Sequence, residues 1–375
     1  MLAKPTHILS ISIPIITTVV FAVMFGQLIP LYCYATMLFG IPILLFLFGF
    51  VISRLTNRST EYLGAYVTSI THYEAWNEIV LRTRQVEDGK DSNGMSKYRT
   101  EVYYETVYHP DEYDYVTNNG KCGNISEATF QHWRDMLQDQ NPRFVEMYRD
   151  YYTINGNAWE YNWDRNTETM VPITLKQKYF NPLKYSNSIY KNKKIDKKTA
   201  EKHGLVEHPD IYGSFYQHCV IGDGRYPGWD LDVQRLNAKL GLNYQFRLFV
   251  IVFDATSKTQ NVFDIQKAYW NNGNKNEFVL CVGINPKTKK LMWHNCFSWC
   301  KEPKLEAMVR NYLSTKETFD CFELCTWMET VVPNNWNRRQ FSEFKYLDTK
   351  LPLWGNILMF IISIIATIGV GMWCL

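Results

Sequence analysis

Charge is missing from both ends of this 375-residue chain. Residues 8–53 contain no Asp, Glu, Lys, Arg or His, and residues 351–375 contain none either. That absence excludes the polar face a water-exposed helix needs. An apolar run of about 20 residues can cross a ~30 Å hydrocarbon core as a helix. The N-terminal block is about twice that length, and Gly26-Gln27-Leu28-Ile29-Pro30 supplies a break. We therefore read two N-terminal spans, 8–25 and 31–53, and a C-terminal one over 351–375. The competing reading of the first span is a cleaved signal peptide, whose short apolar region precedes small residues at a cleavage site. Here the run is long, and more apolar sequence follows Gly26-Gln27.

Other absences narrow the function. Forty Lys and Arg against 37 Asp and Glu leave a net charge of only +3, so there is no basic footprint for nucleic acid. No Gly-Lys-Ser/Thr phosphate loop, Gly-x-Ser-x-Gly elbow or His-Glu-x-x-His zinc motif is present. Between the apolar ends lie Cys122, Cys219, Cys281, Cys296, Cys300, Cys321 and Cys325. An odd number in a large domain does not read as a disulfide framework and suits a reducing compartment. Asn57-Arg58-Ser59 and Asn124-Ile125-Ser126 are glycosylation sequons only if the domain is outside a glycosylating cell.

What charge there is flanks the apolar blocks. Lys4 precedes the first, Arg54 and Arg58 follow the second, and Arg338, Arg339, Lys345 and Lys350 precede the third. By the positive-inside rule the N-terminus and the middle domain are cytoplasmic. Two spans before the domain return the chain to the side it left, which agrees.

The expected class is α+β: three membrane helices bracketing a domain with an antiparallel β-rich part and a small α/β part. The division reads 1–53 for the membrane hairpin, 54–184 for the β-rich part, 185–243 for a basic connector with polar loops, 244–350 for the α/β part and 351–375 for the last helix. In the β-rich part, a strand begins near Tyr62 and another covers 100–108, with a turn-rich loop over 86–97. Ser126 caps a helix over 127–138. Strands 147–154 and 158–163 flank Asn155-Gly156, a hairpin signal, and a further strand covers 170–176. The α/β part reads as strand 246–254, helix 262–270, strands 277–284 and 290–298, then helices 304–313 and 319–331. The first strand–helix–strand unit makes a parallel pair.

Phe249-Val250-Ile251-Val252-Phe253, Ala268-Tyr269-Trp270, Gly273-Asn274-Lys275, Phe278-Val279-Leu280 and Lys289-Lys290-Leu291 follow one another in an order that resembles the TPM domain family. The resemblance covers about residues 244–332. It departs where the family has a glycine-rich turn after the third strand, here Cys296-Phe297-Ser298-Trp299-Cys300. Glu302 is the nearest match to the acidic residue that follows that turn. The resemblance implies a membrane-tethered module that supports other proteins.

Three groups of residues are candidate sites. Cys296, Cys300, Cys321 and Cys325 could hold zinc, or could simply pack in the core, where free cysteine is common. In 222–232, Asp223, Asp230 and Asp232 could hold a divalent cation, or Asp230 or Asp232 could cap a helix over 233–240. Lys191, Lys193, Lys194, Lys197 and Lys198 could meet anionic headgroups, or be a solvated linker. No resident cofactor is expected. The partners expected are the lipid bilayer and other membrane proteins, with no nucleic acid. The tyrosines at 103, 104, 108, 113 and 115 are sheet faces, with some open to a partner.

Three functions follow in order: a membrane protein presenting a cytoplasmic interaction or scaffold domain; a membrane-bound metal-dependent hydrolase; and a membrane-perturbing effector with a cytoplasmic sensor. No intramembrane charge marks an ion path for the last.

Overall fold

A computed structural model describes residues 6–25, 30–90, 92–146, 156–185, 195–213, 215–224, 226–344, 346 and 350–373. The strand expected over 147–154 lies outside them.

Helix α1 (Thr6–Phe25) is followed by α2 (Leu31–Thr56), which contains a π-helical turn at Thr36–Gly40. The chain closes with α9 (Leu353–Trp373). Among the described residues, α2 and α9 are long and apolar enough to cross a membrane, whereas the apolar stretch Ser12–Phe25 of α1 is shorter. The three helices pack together around Met37, Ile41, Leu45, Ile52 and Met359, with small and weakly polar residues enclosed beside them. Gly355, Met359, Ser363, Thr367 and Gly371 form the buried stripe of α9, and Thr18 is buried in α1. Phe21, near the end of α1, covers Gly371, near the end of α9. Ile52, near the end of α2, touches Gly355, near the start of α9. So α9 runs alongside α1 and counter to α2. The junctions with the domain meet, because Asn57 donates to Ser53 Oγ (2.9 Å) and to the Lys350 carbonyl (3.4 Å).

One residue after α2, strand β1 (Arg58–Tyr73) begins. Its first half pairs with β8 (Pro172–Phe180), and its second half with β4 (Glu112–Thr117) on one side and β7 (Ala158–Asn162) on the other. Short strands β5 (Cys122–Asn124) and β6 (Arg143–Val145) extend the two edges. All of these pairings are antiparallel, as expected. Between β1 and β4 the chain forms a separate two-stranded ribbon, β2 (Trp76–Lys90) and β3 (Ser96–His109). The loop expected over 86–97 is therefore shorter, because β2 continues to Lys90. Helix α3 (Glu127–Leu137) begins at Ser126, whose Oγ accepts from Thr129 N, and its Phe130, Trp133 and Leu137 cover Val67, Ile70 and Ile173.

The second sheet runs β12 (Leu291–Ser298), β11 (Glu277–Ile284), β10 (Arg247–Asp254), β9 (Val220–Gly222). β10 is parallel to β9 and β11, while β12 is antiparallel to β11. β11 is buried on both faces, as its unbroken apolar run requires. α4 (Lys197–His203), α6 (Val262–Tyr269), α7 (Lys304–Ser314) and α8 (Cys321–Asn335) also lie in this half of the chain, and Val262, Leu305, Val309, Leu324 and Met328 join its core.

Helix α5 (Pro227–Tyr244) joins the two sheets. It starts six residues before the expected helix over 233–240. Proline is well suited to a first helical turn, where its missing N–H costs nothing. The consequence is that Asp230 lies inside the first turn and caps nothing. β1 and α5 touch backbone to backbone: a Cβ on Gly64 would lie 2.2 Å from the Asn237 carbonyl oxygen, and one on Gly241 would lie 2.1 Å from that of Gly64. Buried Arg247 ties the sheets further, donating to Thr174 Oγ1 (2.9 Å) and Gln217 Oε1 (2.6 Å). Asn276 donates to the Tyr62 carbonyl (2.6 Å), and Arg338 pairs with Glu61.

Candidate functional site

The β2–β3 ribbon separates its residues by chemistry. Side chains alternate across a strand, and directly paired residues share a face. One face carries Ile79, Leu81, Tyr98, Val102, Tyr104 and Tyr108, placed by the pairs Leu81↔Tyr104, Thr83↔Val102 and Asn77↔Tyr108, with Glu87 opposite Tyr98 at its far end and Gln85 and Thr100 between. These six range from 55% exposed at Val102 to 76% at Tyr104. The other face is satisfied within itself: Arg82 bonds Glu105 (2.9 Å), Arg84 bonds Glu101 (2.8 Å), His109 meets Glu78 (2.9 Å), and the Trp76 ring stacks on His109. Among the described residues, neither strand pairs with any other. A two-stranded ribbon is marginal alone, and open edges beside an apolar face invite another chain. Tyr103, which the sequence grouped with Tyr104, lies on the charged face under Arg84, while Tyr113 and Tyr115 pack in the first core.

The Asp223–Asp232 loop is not one site. Asp230 is buried, and both its oxygens are occupied. Oδ1 accepts from the amides of Cys219 (2.6 Å) and Val220 (3.0 Å). Oδ2 accepts from Tyr216 Oη (2.5 Å) and Gln234 Nε2 (3.2 Å), and meets His218 Nδ1 at 2.8 Å. The far nitrogen of His218 lies 2.6 Å from Tyr212 Oη. The group borders a cavity of 620 Å³ that Val220, Gly222 and Tyr226 also line. Burial and the bond to the Asp230 carboxylate push the Tyr216 hydroxyl's pKa up, so it stays protonated and donates its hydrogen bond to that carboxylate. Asp223 faces elsewhere, pairing with Lys258 (2.8 Å) and accepting from the Asp254 amide (2.9 Å). Asp232, its carboxyl raised by burial and then by Asp320, belongs to neither group. The arrangement is a carboxylate–imidazole–phenol chain. His218 and Tyr212 carry no sequence signal as its members, because the links span twelve and six residues within irregular chain.

The cysteines also separate. Cys296 lies by Arg310 and the Glu306 carbonyl, Cys300 by Asn335 and Asn337, and Cys321 beside Cys325, with its thiol toward the Trp229 carbonyl. All four are buried; burial raises the thiol of Cys296 to about 12, and the hydrogen bond with Cys325, then burial, raises that of Cys321. Among the described residues no three His, Cys, Asp or Glu side chains converge as a metal site. Lys197 and Lys198 are exposed on the short helix α4, capped by Asp196 and ended by Gly204. Lys191, Lys193 and Lys194 lie outside the described residues.

No family model matches the chain, and neither a curated protein nor a solved structure does.

Proposed function

We propose that this is an integral membrane protein that presents an α/β interaction domain on the cytoplasmic side, with the β2–β3 ribbon as its docking arm. The membrane part of the reading rests on the bundle's outer surface. Large side chains such as Ile43, Leu44, Phe50, Ile361 and Ile365 point outward, and Thr18, Ser363 and Thr367 are enclosed beside the buried Met37, Ile41, Leu45 and Met359. Membrane helices associate through small and weakly polar residues, since lipid gives large apolar groups no reason to hide. The hydroxyls of Thr17, Thr18, Thr56 and Thr367 donate to carbonyls of their own helices, as a water-free core requires. On this reading α1 is the third span, and its parallel course beside α9 puts the N-terminus on the domain's side. Arg54, Arg58, Arg338 and Arg339 near the junction favour the cytoplasm. Element order from β10 to α8 is the order on which the TPM resemblance rests, and it supports a tethered support module.

The observation that carries the docking role is the ribbon's exposed apolar face, on which Glu87, opposite Tyr98, is the one charge. The partner it suits is a protein with a complementary apolar surface at the same membrane. Photo-cross-linking in native membranes tests this, with benzoylphenylalanine at position 104 on the apolar face or at 101 on the charged one. A discrete adduct from 104 but not 101, abolished by Leu81→Lys, is expected. An adduct of twice the chain mass identifies a second copy as the partner. Equal adducts from both faces, or none, would sink the docking role.

A further inference from the structure

The seven cysteines of the domain are free thiols, whereas Cys33, in the first turn of α2, is held in a disulfide. The chain has nine cysteines, so within it only Cys374 remains as the partner. Cys374 follows Trp373, the last residue of α9, and lies outside the described residues. The packing of the helices agrees with this elimination. Cys33 is buried and opens a row on α2 that continues in four-residue steps through Met37, Ile41, Leu45 and Gly49. Side chains four apart share one face of a helix. On α9, Leu358, Ile362, Ala366 and Val370 pack against the same core, again in four-residue steps, and the next position of that row is 374. The two helices run counter to each other and touch at Ile52 and Gly355. Cys33 lies 19 residues before Ile52, and Cys374 lies 19 residues after Gly355. At about 1.5 Å per residue both stretches rise roughly 28 Å, so the two positions stand at one level. Packed helix axes lie about 8–10 Å apart, and Cα atoms lie about 2.3 Å from each axis. Facing Cα atoms therefore approach to roughly 4–5 Å, within the reach of a disulfide.

We propose that Cys33 and Cys374 form a disulfide that closes the helix bundle at the end remote from the domain, on the extracytoplasmic face. Its sidedness rests on the membrane reading proposed above. On that reading the bond lies where disulfides form and persist, while the seven domain thiols lie on the reducing side. Each Sγ–H gives up one proton and one electron as the S–S bond forms. Both protons and both electrons pass to the disulfide of an extracytoplasmic thiol oxidoreductase, which leaves as a dithiol. At the domain end, Asn57 joins the end of α2 to the Lys350 carbonyl ahead of α9 (3.4 Å). The disulfide ties the other ends of the same two helices. They then cannot splay, and the points at which the chain enters and leaves the domain keep their spacing.

Thiol counting on the full chain tests this. Membranes are dissolved in SDS, with or without prior reduction, and every free thiol is tagged with a maleimide polyethylene glycol that adds a fixed mass. Seven tags without reduction and nine after it are expected, on a band of monomer mass. Cys33→Ser and Cys374→Ser each leave eight cysteines and are expected to take eight tags under both conditions. Nine tags on the unreduced wild type overturn the disulfide. A band of twice the chain mass that reduction dissolves, or a Cys374→Ser chain with seven tags until reduced, overturns Cys374 as the partner. Sealed right-side-out vesicles separate the bond from its sidedness. After a membrane-impermeant phosphine reductant, an impermeant maleimide is expected to label the wild type but not Cys33→Ser/Cys374→Ser. Among the seven domain thiols Cys122 is the exposed one, so it reports the domain's side in that double variant. Labelling there removes the cytoplasmic reading and leaves the thiol count standing. A count of nine removes the disulfide and leaves the cytoplasmic reading untouched. A reduced wild type that takes no label overturns the position at the outer face.

Discussion

Asp230→Asn separates a structural carboxylate from a ligand-binding one. The wild-type carboxylate meets five donors: the amides of Cys219 and Val220, and the side chains of Tyr216, His218 and Gln234. Asparagine keeps one oxygen and puts two N–H groups where the other was. If the retained oxygen serves the two amides, three donors face a donor. The Tyr216 hydroxyl can rotate and His218 can change tautomer, but the Gln234 amide is left opposed. Losing the charge-assisted bonds and burying one mismatched pair costs about 3–4 kcal/mol. At a few degrees per kcal/mol, the midpoint falls by roughly 5–10 °C. The neighbouring aspartates set the scale. Asp223→Asn breaks a part-exposed pair with Lys258 and is expected to cost about 0.5–1 kcal/mol. Asp232→Asn removes a carboxyl whose pKa burial already raises, so it is neutral or stabilising at pH 7. Differential scanning fluorimetry of the three variants reads the order directly. An Asp230→Asn midpoint within about 2 °C of wild type would refute the five-donor reasoning, taking the same conversion. So would a divalent ion that raises the wild-type midpoint but not that of Asp230→Asn.

Two further outcomes follow from close packing and from charge. Gly64→Ala forces a methyl group to 2.2 Å from the Asn237 carbonyl, and backbone cannot swing aside. The expected loss is about 2 kcal/mol or more, and a wild-type midpoint would place β1 further from α5. Glu277 is buried, which raises its carboxyl, but bonds from His208 (2.9 Å) and Asn274 outweigh burial and hold its pKa below 4.5. Its stabilising contribution is complete above pH 4.5 and is lost as pH falls through the lower folded value. Midpoints from pH 7 to pH 3 are therefore expected to fall less steeply in Glu277→Gln than in wild type, and parallel curves would contradict this.

Burial decides which elements were legible in the sequence. β11 was readable to its end residues because every side chain from Glu277 to Ile284 is enclosed, leaving an unbroken apolar run. Ser126 announced its helix because it accepts from an amide three residues on. β2 was missed because Glu78, Arg82, Arg84 and Glu87 interrupt it, and its apolar residues face outward. The pattern that burial imposes on a strand is absent there, and cross-strand ion pairs replace it. β9 is three residues long and carries no periodicity. The opening of α5 read as loop because Gly228 and Asp230 are loop formers by propensity, yet Asp230 is held by contacts from chain ten to fourteen residues away. The same holds for the Asp230–His218–Tyr212 chain, whose links cross irregular backbone ahead of β9 at no regular spacing.

The ribbon's place in the chain bears on how it could work. Only Asn57 separates α2 from β1, and β1 runs sixteen residues before the chain turns into the ribbon. At about 3.3 Å per residue that strand spans roughly 50 Å. It is paired along its course, to β8 near the helices and to β4 and β7 beyond, with one irregularity between Val67 and Ser69. The backbone contact of Gly64 with α5 braces its first half. A strand paired along its whole length, on both edges in its second half and braced against a helix in its first, has no free hinge within it. The ribbon therefore inherits its position from α2, with no swivel between them other than the short turn after Tyr73. If the ribbon docks a partner as proposed, an arm fixed in this way would discriminate by geometry, favouring a partner whose apolar surface stands at the matching distance from the helices. Inserting two residues into β1 at Val67 would shift the arm by roughly 7 Å, and partner capture through position 104 should fail even though the apolar face is intact.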